Sequence, residues 1–168
     1  MRRLILFRHA KTEARAPTGD DLSRRLTERG RGDAELMGHV LTDAGYTPDL
    51  ALVSPAVRSR ETWDKVAARF PKARVELRKG LYDATPEEIA DELAVQVENA
   101  DTVIVVAHNP GLQELGINLL IESDAAHRDI ERLSAGFPTA SAAVFAMDPE
   151  GRGRLEALLH ARDHREGA

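Results

Sequence analysis

The chain has no cysteine among its 168 residues, which removes disulfides, thiolate zinc sites and a thiol nucleophile from consideration at once. Long apolar runs are missing too. Met1-Arg2-Arg3 followed by Leu4 to Phe7 has the order of a signal peptide, but the apolar part falls far short of the roughly 7–15 residues such a core needs. No stretch approaches a membrane span, so the expected location is cytoplasmic with no membrane partner. Positive charge is in deficit: 28 acidic residues against 23 basic ones give a formal net charge of −5. General affinity for nucleic acid or an anionic membrane is therefore not expected, and an anion site must be a local basic focus in an acidic whole. Lysine is scarce, at four positions (Lys11, Lys65, Lys72, Lys79), and the other 19 basic residues are arginines. No internal repeat, low-complexity stretch or linker is present. The length suits one domain, read as residues 1–160 with a charged, frayed tail over 161–168, large enough to bury roughly 70% of its unfolded surface.

What is present is a regular alternation. Leu4 to Phe7 runs without a break into Arg8-His9, as in a strand buried on both faces of a sheet. Glu13 to Arg25 is rich in Pro, Gly, Asp and Arg without apolar period and reads as a loop. Thr27 is placed to cap a helix with apolar positions Ala34, Met37, Val40, Leu41 and Ala44, stopped by Gly45. Leu50 to Val53 is a second buried-type strand. Ser54-Pro55 then gives an N-cap and first-position proline for a helix with the stripe Trp63, Val66, Ala67 and Phe70. Arg74 to Leu77 alternates like an edge strand, and Leu81 to Ala84 is a loop. Thr85-Pro86-Glu87-Glu88 is a capping box opening a helix that buries Ile89, Leu93 and Val97.

Thr102 to Ala107 is the most β-prone run, ending at His108. Asn109-Pro110 repeats the cap-and-proline signal before Leu112, Leu115, Leu119 and Leu120. Glu122 to Pro138 is irregular, with one helical turn at most. Ser141 to Met147 and Arg154 to Leu159 form a hairpin about Pro149-Glu150-Gly151. The pattern predicts a three-layer α/β sandwich, its central sheet mostly parallel, with helices on both faces and the hairpin at one side.

Three strands end in related polar groups: Arg8-His9, Ser54 with Arg58, and His108-Asn109. In a parallel sheet these ends lie side by side, where α/β folds bind ligands. Two guanidinium forks and two helix starts there would recognise a phosphate-like anion. His160 and His164, four apart in the tail, have no supporting cluster for a metal. Gly30-Arg31-Gly32 follows a cap rather than a strand and is no phosphate loop.

These residues resemble the histidine phosphatase (phosphoglycerate mutase-like) superfamily. The resemblance rests on Arg8-His9 after its strand, Ser54-Pro55-x-x-Arg58-x-x-x-Thr62, and His108 after an apolar strand. Arg8-His9-Ala10-Lys11, Leu26-Thr27-Glu28-Arg29-Gly30, Leu81-Tyr82 and His108-Asn109-Pro110-Gly111 are similar to its short SixA-type branch, the phosphohistidine phosphatases, over residues 2 to 147. The resemblance implies phosphoryl transfer without metal or other cofactor. His9 would be the nucleophile, Arg8 and Arg58 would clamp the phosphoryl oxygens, and His108 would donate to the same group. Lys11 and Asn109 would help bind substrate. Asp83 stands near where relatives carry a glutamate and is the candidate general acid, although a turn aspartate before a capped helix explains it equally. Two positions depart from the family: Ala10 stands where glycine is common, and Arg25 where this branch often has proline. The substrate implied is a phosphohistidine-bearing protein, met by a monomer or weak oligomer. The rivals are a broad small-molecule phosphomonoesterase and a non-catalytic phosphate-binding module.

Overall fold

The computed structural model of the protein describes residues 1–95 and 99–166. Six strands form one sheet: β1 (Arg3–Arg8), β2 (Leu50–Val53), β3 (Arg74–Leu77), β4 (Thr102–Ala107), β5 (Ser141–Met147) and β6 (Gly153–His160). Their spatial order is β3-β2-β4-β1-β5-β6. The first four are mutually parallel, β5 runs antiparallel to β1, and β6 closes the hairpin. The helices are α1 (Glu28–Asp43), α2 (Val57–Ala67), α3 (Pro86–Ala94), α4 (Gly111–Glu122) and α5 (His127–Ser134). None is long and apolar enough to cross a membrane.

Alternation along the central strands explains the two helical layers. In β1, Leu4 and Leu6 face one core while Ile5 and Phe7 face the other, as the period of two requires. The first core takes Ile89 of α3, Leu112, Leu115 and Leu120 of α4, and Leu133 of α5. The second takes Met37 and Leu41 of α1 with Trp63 and Val66 of α2. β4 is central and buried at every residue, and for that reason it is apolar from Val103 onward, after Thr102 at its start. The three-layer sandwich is the predicted one.

Several element ends were legible. Thr27 Oγ1 accepts from the Gly30 amide, and Gly45 leaves α1 with φ +82°, the left-handed conformation glycine adopts freely. Thr85 and Glu88 form the reciprocal capping box. Gly30 is needed for another reason: a Cβ there would strike the Lys11 carbonyl, so its absence lets α1 pack onto the β1 loop.

Four expectations need correction. Ser54 does not cap α2, which begins at Val57 behind Ala56, because its hydroxyl is taken by His108. Asn109 does not cap α4 either; the helix starts at Gly111, and the Asn109 amide turns to the Phe137 carbonyl at 3.0 Å. The segment expected to be irregular contains α5, two turns long, which buries Leu133. The tail is tied down as far as Arg165: Ala161 to Asp163 form a 3-10 turn with Ala161 buried, and Arg165 donates to buried Asp33 at 2.9 Å. Val97, expected on the buried stripe of α3, lies outside the described residues.

Candidate active site

The sheet register builds the site. Arg8 pairs with Ala107 and Val53 with Val106, so the residues that follow, His9, His108 and Ser54, emerge together from adjacent parallel strands. The His9 amide donates to the Ala107 carbonyl at 3.1 Å, and the Ser54 amide to that of Val106 at 3.0 Å. The two imidazoles meet with ring centroids 5.3 Å apart, tilted by 59°.

Each ring is anchored through one nitrogen, and for His9 the anchor fixes the tautomer. His9 Nδ1 lies 2.9 Å from the Ala10 carbonyl, which can only accept; the ring proton is therefore on Nδ1, and Nε2 carries the lone pair. Burial, together with the nearby His108, Arg58 and Arg8, pushes the His9 pKa down to about 3, against the backbone bond that favours the cation. The ring is neutral at physiological pH. His108 Nε2 lies 2.7 Å from Ser54 Oγ, which also accepts from the Ala56 amide. The hydroxyl, with two lone pairs and one hydrogen, is able to accept from Ala56 and also to bond Nε2 in either direction, while Nδ1 is a buried atom without a partner among the described residues. Burial and then the Arg58 charge bring His108 down to about 4, with Asp21 opposing.

The two guanidinium groups arrive differently. Arg8 donates to the Phe137 carbonyl at 3.0 Å, and burial lowers its pKa. Arg58, in the first turn of α2, is 5% exposed. Its fork donates to Asp21, to the carbonyl at 2.8 Å and to Oδ2 at 3.0 Å. The Nε of each arginine is buried without a partner among the described residues, a costly state that an anion would relieve. Thr62, sequence neighbour of this turn, bridges it to β1: its hydroxyl donates to the Arg58 carbonyl and accepts from the Ala10 amide. Ala10 itself is fully buried and is not among the described residues with positive φ, so the glycine common at that position is not required here.

Asp21 is the residue that sequence reading missed. It lies in a 3-10 turn (Asp21–Ser23) of the loop after β1. Its Oδ2 accepts from the Tyr82 hydroxyl at 2.6 Å, and its Oδ1 from Arg24 at 2.9 Å. The Tyr82 hydrogen bond, followed by the Arg58 and Arg24 contacts, holds its pKa down to about 2 despite some burial. Arg24 also donates to Thr12 Oγ1, pinning the loop to the chain beyond His9. No period or cap marks Asp21 in the sequence. Tyr82 stands edge-on to His108, centroids 5.7 Å apart.

Of the predicted residues, Arg8, His9, Arg58 and His108 are brought together. Asn109 flanks them, held by Phe137. Lys11 is exposed on the neighbouring rim, its carbonyl accepting from Thr27. Asp83 is exposed with φ +53°, and it makes no hydrogen bond or ion pair among the described residues. His160, weighed earlier as a metal ligand, instead bonds Ser141 Oγ at 2.6 Å. Among the described residues no three His, Asp or Glu groups are placed to hold a metal ion. The largest cavity described, about 660 Å³ beside Ser123, Met147 and Gly153, contains none of the clustered groups.

Fold and strand-end cluster define the class: an α/β sandwich of phosphoglycerate mutase type with paired imidazoles and guanidinium groups at the carboxyl ends of its parallel strands. Residues 4–92 match the family model of the histidine phosphatase superfamily (branch 1), and the chain belongs to that superfamily. It is, accordingly, a metal-independent phosphatase. Among solved structures, the Agrobacterium tumefaciens protein assigned as the phosphohistidine phosphatase SixA is 30% identical, with a TM-score of 0.82 over 94% of this chain and 97% of that one. The α-ribazole phosphatase of Shigella flexneri shares the fold at 16% identity, TM-score 0.70, over 95% of this chain and 96% of that one. An uncharacterized protein of Mycobacterium tuberculosis (strain H37Rv) is 34% identical over 84% of this chain and 87% of its own length. An uncharacterized chloroplastic protein of Arabidopsis thaliana is 30% identical over 94% and 77%.

Proposed function

We propose that this phosphatase acts on phosphohistidine in a protein, through a phosphohistidine formed on His9. The observation that carries the reading is the state of His9: Nδ1 bonded to the Ala10 carbonyl, the ring neutral, and Nε2 free beside His108 and Arg58. Nε2 attacks phosphorus in line, and its N–P bond forms as the bond to the leaving imidazole breaks. Water then attacks the same phosphorus, the N–P bond to His9 breaks, phosphate leaves, and Nε2 recovers its lone pair. Arg8 and Arg58 hold the equatorial oxygens, and His108 donates through Nδ1, the nitrogen Ser54 leaves open. Catalysis of this kind is chiefly positioning and charge stabilisation. Lys11 and Asn109 line the approach.

Asp21 cannot be the general acid, since it stays ionised well below neutral pH. Asp83, one residue past Tyr82 and without a hydrogen bond or ion pair among the described residues, is the carboxyl assigned to that role. Demand on it is small for phosphohistidine, whose imidazole can leave neutral, and large for an alkyl phosphate. Between Ser54 and His108 the described residues form α2, β3, a 3-10 turn (Lys79–Leu81), α3 and β4, and none of these is a domain inserted over the site to enclose a small molecule. The resemblance to the Agrobacterium protein points the same way.

The test compares wild type and His9→Ala on a phosphohistidine peptide and a panel of phosphate esters. Wild type should favour the peptide, and the substitution should lower its rate by about 10³-fold or more. Quenching wild type in base after exposure to phosphoramidate should trap acid-labile phosphohistidine. A clear preference for one small ester would overturn the substrate reading, and failure to trap the intermediate would overturn the mechanism.

A further inference from the structure

A groove leaves the site beside Arg8 and Asn109 and runs past Pro138 and His160 toward the first turn of α1. Its two parts, about 340 Å³ and 210 Å³, share Pro138, His160 and Arg162 as lining. The part nearer the site also has Arg132 and no carboxylate in its wall. The farther part has Lys11, Arg29 and Arg165, and Asp33 as its one carboxylate. Asp33 is already neutralised by Arg165, and Arg132 has Asp129 at 3.4 Å behind it. Arg29 and Arg162 are exposed, and neither has a hydrogen bond or ion pair from its side chain among the described residues. The Lys11 ammonium is in the same state.

Three uncompensated cations along one groove are notable in a chain whose acidic residues outnumber its basic ones. Spread over an open channel, they suit several anionic groups carried on an extended chain better than one compact ligand. The channel opens directly onto Arg8, so a chain lying in it would bring its own histidine to the paired imidazoles. We propose that this groove docks an acidic segment of the phosphohistidine-bearing protein, its carboxylates meeting Arg162 and Arg29. The inference rests on the phosphohistidine reading above and names the surface chemistry of that substrate.

A pair of synthetic phosphohistidine peptides tests it, one flanked by glutamates and the other by glutamines, with phosphoramidate as the small substrate. For wild type the KM of the glutamate peptide should be about tenfold lower, and the gap should shrink with added salt. The doubly substituted Arg29→Glu, Arg162→Glu protein should lose that gap while keeping its kcat and its rate on phosphoramidate. Equal KM values in wild type would overturn the docking surface, as would a parallel loss on phosphoramidate in the variant. If wild type hydrolyses neither peptide but does hydrolyse esters, the phosphohistidine reading is what fails. The groove is then decided by the unphosphorylated glutamate peptide as inhibitor of p-nitrophenyl phosphate hydrolysis: inhibition of wild type but not of the variant supports it, and no inhibition overturns it. Groove-dependent inhibition by a small bisphosphate but not by the glutamate peptide would assign the cations to a small anion and likewise overturn the proposal.

Discussion

The candidate site has two halves built on different principles. One half, His9, His108, Ser54 and Arg58, stands at strand ends and in the first turn of α2, and each of its members is less than a tenth exposed. Backbone groups of the sheet fix it. The other half, Asp21, Arg24, Tyr82 and Asp83, stands on two loops; Asp21 holds Arg24 and Tyr82, and Asp83 follows Tyr82 without a hydrogen bond or ion pair among the described residues. Burial in the first half is the largest cause that keeps the imidazoles neutral. The charge that fixes the direction of Arg58 comes from the second. The sheet supplies reactivity, and the loops supply aim.

The contrast can be broken at several points. The largest expected effect is at Arg58: its replacement by alanine should lower kcat/KM on a phosphohistidine peptide by about 10²–10³-fold, the usual cost of losing a charge-stabilising donor. A loss under about tenfold would move the burden of charge stabilisation away from the buried half.

The imidazoles give a stability test next. In the folded chain His9 and His108 stay neutral until the pH reaches about 3 and about 4, whereas the ordinary value in an unfolded chain is 6.5. Between those limits the unfolded chain binds more protons, so stability present above pH 6.5 is lost as the pH falls through that window. Denaturant midpoints should drop from pH 6.5 toward pH 4 in wild type, and more gently in His9→Asn or His108→Asn. An equal drop in all three would show that the acid sensitivity lies elsewhere.

A smaller change is expected at Asp21. Its carboxylate sits on the fork of Arg58, so its charge opposes a phosphate arriving at the same guanidinium. Asp21→Asn should tighten inhibition by inorganic phosphate about two- to fivefold, the worth of a half-exposed ion pair. Weaker inhibition would make Asp21 a support of the anion site rather than a competitor. Least of all, Asp83→Asn should change phosphohistidine hydrolysis by less than about twofold while slowing an alkyl phosphate more. Equal slowing of both would place a carboxyl group in the phosphohistidine reaction after all.

The same division governs what could be read from the sequence. Strands such as Leu50 to Val53 and Val103 to Ala107 declare themselves because burial on both faces leaves apolar residues, and the ends of β1, β2 and β4 lead directly into the clustered side chains. The capping box at Thr85 is equally local. Ser54 and Asn109 misled because a good cap residue is also a good hydrogen-bond partner, and a histidine and a carbonyl from distant segments won the competition. Asp21 left no trace, since a loop carboxylate acquires meaning only when folding sets Tyr82 and Arg58 against it, 61 and 37 residues away. The tail looked free because its anchor, Asp33, is 132 positions distant.

One oxygen has wider reach than its place suggests. The Phe137 carbonyl accepts from both Arg8 and Asn109 at 3.0 Å, tying the end of β1 to the start of α4 through the segment that floors the basic channel. A macromolecule settling there need not approach the reacting atoms to be felt by them. A shift of that one acceptor would loosen Arg8 and Asn109 together.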